Sequence, residues 1–109
     1  GDLGPSPYQL LAAALGACTA MTLRLYARHK GIALEGVTVD VTHGRSHAGD
    51  AGAGGAVDVF RRAITLEGDL DDAVRARLMA IADRCPVHRT LERGARIETV
   101  AGPDQRASA

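Results

Sequence analysis

Cys18 and Cys85 are the only two cysteines in this chain, and their thiols are the side chains best suited to covalent chemistry. A thiol reacts as its thiolate, a form favoured at helix N-termini and beside cations. Cys85 stands directly before Pro86, a residue suited to the first position of a helix, so its sulfur is expected to face unpaired amides, with Arg84, His88 and Arg89 as local cations. Cys18 falls in mid-helix and needs a cation from elsewhere in the fold to react quickly with a peroxide. Taken singly, either cysteine also reads as core packing. The pair, each on the expected buried side of its helix, favours thiol chemistry. His43, His47, Cys85 and His88 form a conceivable metal set, but His47 opens a glycine-rich loop and no Cys-x-x-Cys anchors it, so no metal is expected. A nucleophilic hydrolase needs a base beside its thiol and an oxyanion hole, and neither is legible.

The elements that must position these residues follow from pattern. Ser6, Pro7 and Gln9 make a capping box that opens a helix at Pro7, and Gly31 closes it after Lys30, with Arg24, Arg28, His29 and Lys30 gathered near the end. Leu10, Ala14, Cys18, Met21 and Leu25 follow helical spacing and are the expected buried face. Leu11, Leu15, Ala12, Ala13 and Ala17 cover the other sides, so the helix must be wrapped. Val37, Val39 and Val41 alternate with polar residues as a half-buried strand between Gly36 and Gly44, with His43 on the same face by parity. Residues 45–56, rich in glycine, read as a mobile hairpin connection. Val57–Glu67 reads as a second strand whose phase slips between Val57/Val59 and Phe60/Ile64/Leu66, as a bulge near Arg61 would produce. Asp69 or Asp71 caps a second helix through about Arg84, carrying Leu70, Val74, Leu78, Ile81 and Cys85 on one side. Pro86 starts a short third helix to Glu92, and Arg96–Val100 alternates as a final strand. Residues 101–109 are expected to fray. Glu35, Asp58, Glu67 and the Asp69/Asp71/Asp72 cluster read as strand-end, capping and solvated charges.

Helix, hairpin, helix and strand in that order make an α+β domain, here a single one over residues 1–109. The chain has 109 residues, 46% hydrophobic but only 3% aromatic, so small aliphatic side chains carry the packing. Thirteen basic against thirteen acidic residues leave no cationic surplus for nucleic acid. The near-apolar run Leu10–Met21 spans 12 residues, short of the roughly 20 that cross a bilayer, so no membrane partner is expected and the protein is read as cytoplasmic. Gly1 in place of a start methionine marks a processed chain or the remainder of a longer one.

The segment from Gly4 to Thr22, Gly-Pro-Ser-Pro-Tyr-Gln-Leu-Leu-Ala-Ala-Ala-Leu-Gly-Ala-Cys-Thr-Ala-Met-Thr, followed by Cys85-Pro86-Val87-His88, resembles the osmotically inducible protein C and organic hydroperoxide resistance (OsmC/Ohr) family, from about Gly4 to Val100. It looks closer to the OsmC-like branch that reads Ser-Pro-Tyr at this helix start than to the hydroperoxide resistance enzymes. The resemblance implies an intertwined α+β homodimer, with a long central helix packed against antiparallel β-sheet and no cofactor. It also implies a thiol peroxidase acting in oxidative-stress defence. Cys18 would attack an organic hydroperoxide to give sulfenic acid, Cys85 would condense with it to a disulfide, and a dithiol, of low molecular weight or a lipoylated protein, would reset the pair. The family's glutamate, ten positions before the attacking cysteine, is replaced here by Tyr8, followed by Gln9. Tyr8 could donate to a peroxide oxygen or simply pack beside the cap, and Gln9 already has a capping role; His88 is a further supporting candidate. The family's activating arginine comes from a strand upstream of this motif, so a segment before Gly1 is one expected source of it. Arg61 or Arg62 is the candidate in its place, with solvated strand charge as the other reading. The alternative function is a binding or scaffold module of the same fold with little or no peroxidase activity.

The wrapped helix generates the first test. Its apolar surface exceeds what three strands of one chain can cover, so sedimentation at micromolar concentration should return a dimer; a stable, well-folded monomer would contradict both the dimer and the family's fold.

Overall fold

Ser6 and Gln9 close the capping box in both directions. The Ser6 hydroxyl accepts from Gln9 N at 3.2 Å, and the Gln9 side chain accepts from Ser6 N at 2.7 Å. Helix α1 therefore starts at Pro7, and it ends at Lys30, where Gly31 turns left-handed at φ 69° and returns its amide to Ala27 and Arg28. The computed structural model describes residues 4–46 and 57–103, so most of the glycine-rich connection, His47 included, and the end of the expected frayed tail lie outside the described residues. Strands β1 (Leu34–Ser46) and β2 (Val57–Gly68) pair antiparallel from Leu34↔Gly68 to Ser46↔Val57, and α2 (Asp72–Ala82) and α3 (Pro86–Arg93) follow. Asp71, rather than Asp69, caps α2 by accepting from Val74 N at 2.8 Å. The Arg75 guanidinium holds the β2–α2 turn through the carbonyls of Leu66, Gly68 and Leu70.

The core lies where α1, α2 and the open Leu34/Gly68 end of the hairpin meet. Leu23, Leu66, Leu78, Ile81 and Ala82 are buried together, with Tyr26, Ile32, Val37 and Val74 among the side chains packed around them. The stripe of α1 that supplies this core is Ala12, Leu15, Gly16, Thr19, Leu23 and Ala27. The face expected to be buried is the opposite one: Leu10 is 57% exposed, Met21 61% and Leu25 59%. The small stripe wins the sheet because it permits close approach. A Cβ at Gly16 would sit 3.3 Å from the Val41 side chain and 3.5 Å from the Val39 carbonyl, so a smooth small face lies against β1 and the larger residues point away.

Further expectations need correcting. β2 has no slip near Arg61; the single irregularity of register falls between Leu34 and Gly36. Phe60, Arg62, Ile64 and Leu66 form one unbroken inward face, and it looked shifted because apolar Val57 and Val59 occupy the outer face. The expected strand Arg96–Val100 is absent, since residues 94–100 carry no regular structure. The segment pairs with neither edge of the two-stranded sheet, and Ile97 and Val100 stand 85% and 83% exposed. The sheet among the described residues is two-stranded, not three-stranded. The 12-residue measure of apolarity was also too strict. All 24 residues of α1, with a mean hydropathy of 1.5 over the most apolar window, are long and apolar enough to cross a bilayer, yet its buried stripe packs on the chain's own sheet and α2. The radius of gyration, 18.9 Å, exceeds the roughly 13 Å of a compact chain of this size.

Since Ser6 satisfies an otherwise orphaned amide, Ser6→Ala should cost about 1 kcal/mol. The shift of the urea midpoint measures it, and an unchanged midpoint would remove the cap from the account of where α1 begins.

Candidate functional site

Cys85 is the N-cap of α3. Its Sγ accepts from His88 N at 3.5 Å, the position a capping oxygen normally takes, and the residue is wholly buried. Pro86 at the first helical position fixes the entry of the chain, so the sulfur is aimed at the amides that the helix leaves unpaired. Cys18 comes to the same place from α1, one residue before the buried Thr19, and is partly exposed. The two thiols, 67 residues apart in sequence, lie within hydrogen-bonding reach of each other and both are reduced.

Their surroundings treat them differently. For Cys18, burial raises the thiol above its ordinary value, and the hydrogen bond it donates to Cys85 holds the proton in place; the Val87 amide and the Thr22 hydroxyl oppose this without reversing it. For Cys85, burial again disfavours the thiolate and is the largest effect. The Cys18 thiol, the His88 amide, the Thr19 hydroxyl and the Val87 amide together outweigh it and lower the thiol below its ordinary value. The stabilisation expected at Cys85 is therefore present, but it comes from amides and hydroxyls. Arg84 and Arg89 are exposed.

The cation that does enter is Arg62. Its side chain is only 12% exposed, and its guanidinium donates to Thr19 Oγ1 at 3.1 Å, to the Ala82 carbonyl at 3.0 Å and to Asp83 Oδ1 at 2.9 Å. Thr19 accepts from Arg62 and donates to Leu15 O at 2.7 Å, so the hydroxyl links the arginine to the helix carrying Cys18. Arg61, the other candidate, is exposed on the opposite face of β2. A cavity of about 450 Å³ opens beside Arg62 and His88, lined also by Leu15, Phe60, Leu91 and Glu92. Asp58 and Val59 line it too, so charged and apolar side chains share its wall, and the His88 ring meets Glu92 at 3.4 Å.

Tyr8 and Gln9 are not part of this constellation. Gln9 is engaged in the cap. Tyr8 stacks on His43 at 4.4 Å and 4°, His43 in turn lies 4.9 Å from Phe60, and the His43 ring is 2.8 Å from Asp58, which also accepts from Arg45 at 3.2 Å. The His43 bond comes first among the interactions that lower the Asp58 carboxyl below its ordinary value. His43 thus keeps the inward parity expected of it, but binds a carboxylate and an aromatic ring. No three metal-ligating side chains converge among the described residues. Thr19 and Thr22 were missed by sequence reasoning; a threonine held in an otherwise apolar helix, next to a cysteine, is the signal that would have pointed to the first.

The family model described as OsmC-like protein matches residues 1–100. The fold is similar to a candidate osmotic stress induced and detoxification response protein from Psychrobacter arcticus, at TM-score 0.61 and 29% identity over 78% of this chain and 58% of that one. It is similar to an OsmC like protein from Mycoplasma pneumoniae, at TM-score 0.66 and 26% identity over 82% and 63%. An organic hydroperoxide resistance protein OsmC from Legionella pneumophila shares the fold at TM-score 0.66 and 23% identity over 82% and 63%. The chain thus spans 58–63% of the length of these structures. No curated protein matches it significantly.

Arg62 is the testable keystone of the geometry. Arg62→Met keeps the length of the side chain but removes its three hydrogen bonds, to the Ala82 carbonyl, the Thr19 hydroxyl and Asp83, so it should cost about 1–3 kcal/mol in urea unfolding. Arg61→Met, on the solvent face, should stay within about 0.5 kcal/mol of the parent; equal effects would return Arg62 to a solvated role.

Proposed function

The chain belongs to the OsmC-like protein family, and from that premise we propose that it is a thiol-dependent peroxidase that reduces organic hydroperoxides in oxidative-stress defence. The observation that carries this reading is the meeting of Cys18 and Cys85 within hydrogen-bonding reach, from elements far apart in sequence and without a structural disulfide. Cys18, the partly exposed member, attacks the O–O bond and becomes a sulfenic acid. Cys85, behind it and closed to solvent, condenses with it to a disulfide before further oxidation. A dithiol reductant, small or carried on a lipoylated protein, restores both thiols. The Leu15, Val59, Phe60 and Leu91 side chains in the cavity beside Arg62 and His88 suit a hydrocarbon tail better than hydrogen peroxide. His88 contributes its amide to Cys85 and its ring to the cavity wall, whereas Tyr8 and Gln9 support the fold rather than the substrate.

The working unit in this reading is a homodimer. Leu10, Met21 and Leu25 on the outer face of α1 and the unpaired Ile97 and Val100 are the surfaces a second copy would cover. No cofactor or metal enters the proposed cycle, and the chemistry is that of a cytoplasmic thiol pair.

A short pulse of cumene hydroperoxide followed by mass spectrometry tests the reading. The protein should convert to one intramolecular Cys18–Cys85 disulfide, Cys18→Ser should stop peroxide consumption, and Cys85→Ser should end with Cys18 as sulfenic or sulfinic acid. Thiols that stay reduced while a control peroxidase is oxidised would replace the peroxidase with a binding or scaffold module.

A further inference from the structure

Organic hydroperoxides are a broad class of substrate, and the cavity beside Arg62 and His88 narrows it. Three of its lining residues lead to the thiols. Leu15 stands one turn before Cys18 on α1, Arg62 holds Thr19, the residue after Cys18, and the His88 amide donates to Cys85 Sγ at 3.5 Å. We propose that the site takes hydroperoxides that carry no anionic group, and that Glu92 on the cavity wall is the residue that turns a substrate carboxylate away. This rests on the peroxidase reading and names the substrates within it.

The charges on this wall are already matched pair by pair. Arg62 meets Asp83 Oδ1 at 2.9 Å through one terminal nitrogen and engages Thr19 and the Ala82 carbonyl through the other. Asp58 accepts from the His43 ring at 2.8 Å and from Arg45 at 3.2 Å. Glu92 lies 3.4 Å from the His88 ring. The exposed Arg84 and Arg89 do not line the cavity. Among the described residues, an entering carboxylate therefore meets two carboxylates on the wall and no cation without an acid of its own. Taking a charge out of water without a partner is costly, whereas an ester of the same size enters at little cost. Leu15, Val59, Phe60 and Leu91 offer the uncharged group its contacts.

Glu92 rather than Asp58 does the sorting. Asp58 is held by two partners on the hairpin, while Glu92 has the His88 ring alone and at a longer distance. A substrate carboxylate gains a partner here only by displacing Asp83 from Arg62 or Glu92 from His88. The cavity, about 450 Å³, has room for a substituted aryl hydroperoxide. A substituent on such a ring lies against the wall, whereas the far end of a long acyl chain can trail into solvent, so short aryl substrates report the charge of the wall most directly.

Cumene hydroperoxide carrying a para-carboxylate is compared with the para-methyl ester of the same molecule. At low salt, kcat/KM for the carboxylate should fall about tenfold or more below that for the ester, and the gap should narrow as added salt screens the wall. Glu92→Gln should shrink the gap about threefold or more; because the readout is a ratio of two substrates, a general loss of activity does not imitate it. Equal rates, a preference for the carboxylate, a gap indifferent to salt, or one that Glu92→Gln leaves unchanged would overturn the proposal with the peroxidase intact. If Glu92→Gln fails to fold, the parental ratio and its salt dependence decide. A parent that consumes neither substrate would overturn the peroxidase reading, and the unreactive alcohols then judge the cavity. The para-carboxylate of cumyl alcohol and its methyl ester are titrated while the amide NMR signals of Val59, Phe60 and Leu91 are followed. Tighter binding of the ester upholds the selectivity; equal, weaker or absent binding refutes it.

Discussion

The inward guanidinium of Arg62 is the contact on which the rest of the site depends. It leaves a strand whose neighbours on that face are Phe60, Ile64 and Leu66, and it ends on three different partners. The Ala82 carbonyl, at the end of α2, accepts from Arg62 and from the Cys85 amide, and Thr19 belongs to α1. One side chain therefore sets the strand, the long helix and the end of α2 against one another. Three residues after Ala82 comes Cys85, and one residue before Thr19 comes Cys18. The thiols meet because the residues beside them in sequence are tied to the same arginine. A charge this enclosed is tolerable only because each direction it faces offers an acceptor, Asp83 being the one in contact with water.

The elements were legible in the sequence wherever a local rule determined them. Ser6 with Gln9, Gly31, Asp71 and Pro86 each marks a boundary through its own backbone chemistry, and the helices begin and end within a residue or two of those marks. Sidedness was less legible. Helical spacing offered two apolar stripes on α1, and hydrophobicity alone favoured the larger side chains of Leu10, Met21 and Leu25; steric fit against the sheet selected Ala12, Gly16 and Ala27 instead. Periodicity also failed at β2, where the apolar but outward Val57 and Val59 make an alternation look shifted that is intact in three dimensions. The strand expected at Arg96–Val100 has the right pattern, but a strand is completed by a neighbour, and pattern carries no information on whether one is available.

The site divides in the same way. Both cysteines and His88 could be named from residue type, and the thiolate-favouring place of Cys85 from Pro86, whereas the groups around the pair could not. The Thr19 hydroxyl reaches Cys85, and each sulfur reaches the other, only through tertiary packing. Tyr8 and Gln9 show the converse. Their place in the sequence suggested the substrate, and their contacts are a cap and an aromatic stack.

That stack has a consequence for how the molecule opens. Tyr8, His43 and Phe60 fasten the first turn of α1 to the far end of the hairpin, with Asp58 and Arg45 behind them. Ten residues of helix, roughly 15 Å, separate Tyr8 from Cys18. Fraying of that end can thus proceed as a small cooperative unit of its own, with amides there exchanging with solvent while the thiols and the hydrophobic centre stay closed. The chain has a soft pole and a firm one, and the sulfur pair is anchored to the firm one.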